Sequence, residues 1–132
     1  MVKNHLKRLN APKSWRIKRK SMTFITKMSP GPHKLNSSMP LNVIFRDLLE
    51  YANTTREVRN ILHNKSVLVN GKRRKEINFP IGLFDVIEIP DIKEYFRVVL
   101  DKKGKIEVIK IDKTDAEIIP CKITSKNKVK GK

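Results

Sequence analysis

The sequence predicts an α+β protein, and three features predict it. From Pro40 to Ala52 apolar residues recur at the spacing of one helical face, a second such stretch follows Thr54, and from Ser66 onward apolar residues alternate in short runs broken by turn sequences. In chain order the middle reads helix, helix, strand, hairpin, strand.

The residues before these elements form a basic extended N-terminal arm. Positions 1–34 hold ten Lys and Arg and no acidic residue, so the segment repels itself in isolation and orders against polyanions. Pro12, Trp15, Pro30, Gly31, Pro32 and His33 interrupt the cations. Breakers and aromatics of that kind suit an arm threading between RNA helices better than a repetitive solubility tail. The alternative is a disordered basic leader.

Pro40 suits the first turn of a helix. Leu41, Ile44, Phe45, Leu48, Leu49 and Ala52 then trace one face, which gives about three turns. Asn53 ends that helix. Thr54 followed three residues later by Glu57 is a capping-box signature, and the helix it opens turns Val58, Ile61 and Leu62 inward. The connection is tight, so the helices pack as a pair, with Leu48 and Ile61 in a shared core.

Asn64 and Lys65 stop the second helix. Ser66 to Val69 alternates into a strand ending at Asn70-Gly71, a two-residue hairpin turn, and a return strand runs through Lys72 to Glu76. Asp85 to Ile89 is a further strand closed by Pro90. Tyr95 to Leu100 and Ile106 to Ile111 flank the turn sequence Asp101 to Gly104. This second hairpin is expected to start another β-rich unit before the chain becomes Lys-rich.

Thirty Lys and Arg against thirteen Asp and Glu leave a net charge of +17, a field suited to nucleic acid or an anionic membrane. By segment the charge is +10 over 1–34, +2 over 35–90, 0 over 91–121 and +5 over 122–132. No apolar run approaches the roughly 20 residues of a spanning helix. The N-terminus lacks the apolar core of a signal peptide. Cys121 is the single cysteine and has no partner for an internal disulfide. A cytoplasmic protein whose partner is nucleic acid, with no membrane, is the expectation.

Arg46, Thr54-Thr55-Arg56-Glu57, Val67 to Lys72 and Asp85 to Ile89 resemble the S-four-type RNA-binding domain, two packed helices with small hairpins, found in ribosomal proteins, RNA-modifying enzymes and some synthetases. His5-Leu6-Lys7-Arg8-Leu9, Ala11-Pro12, Trp15, Arg19-Lys20, Pro30-Gly31-Pro32-His33 and Pro40-Leu41 resemble the archaeal and eukaryotic ribosomal protein S-four-e family. That similarity runs through Cys121-Lys122-Ile123. It implies a structural constituent of the small ribosomal subunit that contacts ribosomal RNA and neighbouring small-subunit proteins in the cytoplasm. Members of the family are usually longer, continuing through a central β domain and a small barrel. The implied division is a basic arm over 1–37, the S-four-type domain over 38–92, a partial central β unit over 93–124 and a basic tail over 125–132.

The expected RNA contacts follow from this division. In the domain they are Arg46, Thr55, Arg56, Arg59, Asn60, His63 and Lys65 on or beside the helix pair, with Lys72, Arg73 and Arg74 after the turn. In the arm they are Lys7, Arg8, Trp15, Arg16, Lys18, Arg19, Lys20 and His33. Cations at irregular spacing meet phosphates, and the planar Arg fork grips two oxygens or stacks on a base. Trp15 either stacks on a base or plugs an apolar gap.

No catalytic residue, metal, cofactor or small-molecule substrate is expected. His5, His33, His63 and Cys121 are scattered, unlike a metal-ligand pattern, and no phosphate-cradling glycine loop is present. Asp47, Glu50 and Glu57 read as helix-surface and capping carboxylates rather than catalytic acids. Two rivals stand beside the structural reading: the targeting module of an RNA-modifying enzyme, and a ribosome-associated stress factor.

Overall fold

The N-terminal segment folds back on itself rather than trailing away. The computed structural model describes residues 5–131; residues 1–4 of the expected arm and residue 132 of the basic tail lie outside them. β1 (Leu6–Lys7) pairs antiparallel with β2 (Phe24–Ile25), Leu6 opposite Ile25 and Lys7 opposite Phe24. Ala11, Trp15 and Ile25 are buried in the main core. Trp15 is 1% exposed and donates from Nε1 to the Ser38 carbonyl at 2.7 Å. The extended arm expected from charge is therefore corrected. Its cations repel, but removing Trp15 and Ile25 from water outweighs that cost, since burial of such side chains is worth about 1.5–3 kcal/mol each.

β3 (Ser38–Pro40) leads into α1 (Leu41–Val43), which widens into a π-helical turn over Ile44–Leu48. The Leu49 N–H donates to the Ile44 carbonyl at 2.9 Å, and Glu50 adopts the left-handed conformation at φ 54°. The helix is thus shorter than the apolar spacing suggests. Ala52 is buried from the following loop, so its agreement with the helical period is positional coincidence.

α2 (Thr55–Asn64) begins with the capping box expected of it. Thr54 accepts from the Glu57 N–H, and the Glu57 carboxylate accepts from the N–H groups of Asn53 and Thr54. Val58 and Leu62 are fully buried, while Leu48 and Ile61 pack on the same core from its partly exposed margin.

β4 (Leu68–Val69) and β5 (Lys72–Arg73) form a hairpin about Asn70 and Gly71, both at positive φ, 50° and 74°. That pair of left-handed residues matches the twist of the strands, and glycine adopts it without steric cost. β6 (Pro80–Gly82) pairs with β3. β7 (Val86–Ile89), β8 (Glu94–Leu100) and β9 (Ile106–Ile111) complete a five-stranded antiparallel sheet in the order β5-β4-β7-β8-β9. The second hairpin thereby extends the sheet of the first, and hydrogen bonding crosses the 92/93 boundary. The arm also reaches it: the Ile106 N–H donates to the Ser14 carbonyl at 2.7 Å. A short helix, α3 (Lys113–Ala116), packs on β8, where Arg97 donates to the carbonyls of Asp115 and Ile118.

Candidate nucleic-acid interface

Arg56, Arg59, Asn60 and His63 stand at i, i+3, i+4 and i+7, so they form one stripe along α2, and all four are exposed. Val58 and Leu62 bury the opposite face. One amphipathic period therefore fixes both core and surface. The only carboxylate of α2, Glu57, is turned back onto the helix N-terminus by the capping box, leaving the stripe without an acid of its own helix. Its carboxyl is held below the ordinary range, first by the Asn53 N–H and then by Thr54.

The β4–β5 hairpin continues the stripe. Arg73 donates from Nη2 to the His63 carbonyl at 3.1 Å, tying the return strand to the helix end, where carbonyls lack helical partners. Lys65 and Lys72 are exposed beside it. Arg74 is half-buried with its guanidinium 4.3 Å from the Phe79 ring centroid, a cation–π contact that fixes its direction. Between α2 and the segment after β5 lies a cleft of about 320 Å³ lined by Ser29, Arg59, His63, Lys75, Glu76, Ile77 and Asn78. Lys75 belongs to this surface and went unnamed in the sequence reading, although it closes the run Lys72 to Lys75. Ser29 carries no sequence signal; only the folding of the arm brings it there.

Other expected contacts are spent inward. Arg8 is 1% exposed and donates from Nη2 to Asp47 Oδ1 at 2.7 Å. Arg46 donates to the other Asp47 oxygen at 2.9 Å and is largely covered. Trp15 plugs the core, which resolves its two readings. His33 sits 2.8 Å from Asp85 Oδ2 and lies on Gly82, where an added Cβ would come within 2.3 Å of the imidazole. Thr55 accepts from Asn42 at 3.1 Å, and Arg19 donates to the carbonyls of Ala11 and Pro12 at 2.8 and 2.7 Å. These contacts engage the Arg8 guanidinium, the Trp15 indole and the His33 Nε2 within the fold. Lys7, Arg16, Lys18 and Lys20 remain exposed on the arm, Arg16 paired with Glu107 at 2.8 Å.

Among the described residues, no group of three or more His, Cys, Asp or Glu is arranged to hold a metal ion, and no helix is long and apolar enough to cross a membrane.

Fold and surface define a small, strongly basic α+β protein carrying a cationic helix–hairpin face. Its N-terminal residues 2–36 match the RS4NT (NUC023) domain, and residues 92–132 match the ribosomal family S4e. The small ribosomal subunit protein eS4 of Methanococcus maripaludis strain S2 is 44% identical over 129 residues, covering 98% of this chain and 52% of that protein. Its counterpart from Nanoarchaeum equitans is 48% identical over 131 residues, covering 98% and 56%. The crystal structure of the 30S ribosomal protein S4e from Thermoplasma acidophilum aligns with a TM-score of 0.51 at 39% identity, covering 61% of this chain and 41% of that one. Over 98% of its length the chain is similar to proteins of the ribosomal S4e family. It spans about half the length of these relatives.

Proposed function

We propose that the chain binds ribosomal RNA and acts as a structural constituent of the small ribosomal subunit in the cytoplasm, beside neighbouring small-subunit proteins, without catalysing a reaction. The observation that carries this reading is the exposed stripe Arg56, Arg59, Asn60 and His63 beside Lys72 and Arg73. Cations and amide or imidazole donors at that spacing bridge successive phosphates and reach base edges or 2′-hydroxyls. The helix pair with its hairpin, over 38–92, is on this reading an S-four-type RNA-binding domain. Residues 1–37 brace it, 93–124 extend its sheet as the family's central β unit begins, and 125–132 add a basic tail.

Fractionation tests the assignment. The chain should be recovered at one copy per small subunit after a high-salt wash, in growing and stressed cells alike. Recovery only after stress, or loss of the chain in the wash, would contradict a structural role.

A further inference from the structure

The arm carries a second concavity outside the helix–hairpin face. Leu9, Met22 and Phe24 are 67%, 60% and 52% exposed, unusual for three large apolar residues in a short segment without any acid. A cleft of about 540 Å³ is lined by Leu9 and Met22 together with Lys7, Arg19, Lys20, Ser21 and Thr23. That volume falls within the roughly 300–1,000 Å³ of small-molecule sites. Its polar lining consists of cations and hydroxyls only.

The cleft is held in place by Arg8 and Arg19. The Arg8 N–H donates to the Thr23 carbonyl at 2.9 Å, continuing the β1–β2 pairing towards Leu9 and Met22. The buried Arg8 side chain donates from Nη1 to Ser21 Oγ at 3.2 Å and from Nη2 to Asp47 at 2.7 Å, so one guanidinium fastens the 18–21 loop to the helix layer. Arg19 anchors the same loop to the carbonyls of Ala11 and Pro12. Among the described residues, Lys7 and Lys20 make no ion pair and stay exposed.

We propose that this cleft takes an unstacked nucleotide of single-stranded RNA, the base lying on Leu9 and Met22 and its phosphates meeting Lys7 and Lys20. An apolar floor with a rim of cations and hydroxyls complements a flat ring attached to an anion. A polarizable thioether adds favourable contact with an aromatic face, and single-strand binders combine the same two elements, a platform for bases and a cationic track for the backbone. The inference rests on the ribosomal-RNA reading but concerns different residues from the helix–hairpin face.

The test uses the full chain and three synthetic probes: a ten-nucleotide single-stranded RNA, its duplex, and an abasic strand with the same phosphates. Wild type should prefer the single strand to the abasic strand by about tenfold, in line with the energy of base contacts. The double variant Leu9→Ser, Met22→Ser should lose that preference while keeping its duplex affinity and melting temperature. Leu9→Tyr should bind the single strand more tightly than wild type. Equal binding of base-bearing and abasic strands by wild type overturns the proposal and leaves the apolar patch to a protein contact. A loss of duplex and single-strand binding together in the double variant also overturns it. If wild type binds none of the probes nor a small-subunit ribosomal RNA fragment, the RNA reading itself fails.

Discussion

Arg8 and Asp47, 39 positions apart, are joined by a 2.7 Å hydrogen-bonded ion pair whose arginine is almost wholly enclosed. Through it the turn that follows the first strand of the arm is bonded to the π-helical turn. Asp47 divides its two oxygens between Arg8 and Arg46, so the two partners are not equivalent. Asp47→Ala strands a buried cation and should cost about 3–5 kcal/mol, the range for an orphaned buried charge. Arg8→Met leaves Asp47 with Arg46 and should cost less. Chemical denaturation of the two variants checks this order, and an Arg8→Met loss equal to that of Asp47→Ala would contradict it.

Trp15 makes the arm part of the folding unit. Trp15→Ala should lower stability by about 3–5 kcal/mol, the usual cost of deleting a buried aromatic. Removing residues 1–34 should lower it further, because Ile25, Ala11 and the Ser14 contact to β9 go too. A deletion variant melting at the wild-type temperature would restore the picture of a loose arm.

Much of the core was legible in the sequence because it depends on local chemistry. Thr54 with Glu57, Asn70 with Gly71, and the alternation through β7 to β9 each act within a few residues. The arm was misread because charge was weighed for the whole segment, while its structure depends on Trp15, Ile25 and Arg8 meeting partners far along the chain. His33 shows the same limit. Its place depends on Gly82 and Asp85, partners far along the chain. The π turn was hidden because an apolar period cannot distinguish a continuing helix from a wide turn followed by a loop. At the candidate site, the α2 stripe could be read from spacing alone, but the Leu9 and Met22 cleft could not, since it exists only once β1 and β2 pair.

The capping box predicts an acid-side dependence. The Glu57 carboxyl is depressed below its ordinary value by the Asn53 N–H, and then by Thr54. In acid the unfolded chain therefore binds more protons at this position than the folded chain. The contribution is complete above the ordinary glutamate range and is lost as pH falls through the folded value. Glu57→Gln should make the fall of Tm with decreasing pH shallower than in wild type; parallel acid limbs would contradict the assignment. Thr54→Ala should cost about 0.5–2 kcal/mol near neutrality, as for other N-cap removals.

The central claim is that the helix–hairpin face selects its RNA, and a competition titration tests it most directly. Wild type and the Arg56→Glu, Arg59→Glu variant would be titrated with a small-subunit ribosomal RNA fragment against unrelated duplex RNA at several salt concentrations. Both residues are exposed, so the variant should keep its fold. It should lose preference for the ribosomal fragment by more than it loses nonspecific affinity, and its salt slope should fall because fewer phosphates are neutralised. Undiminished preference in the variant would contradict the account and transfer recognition to another surface.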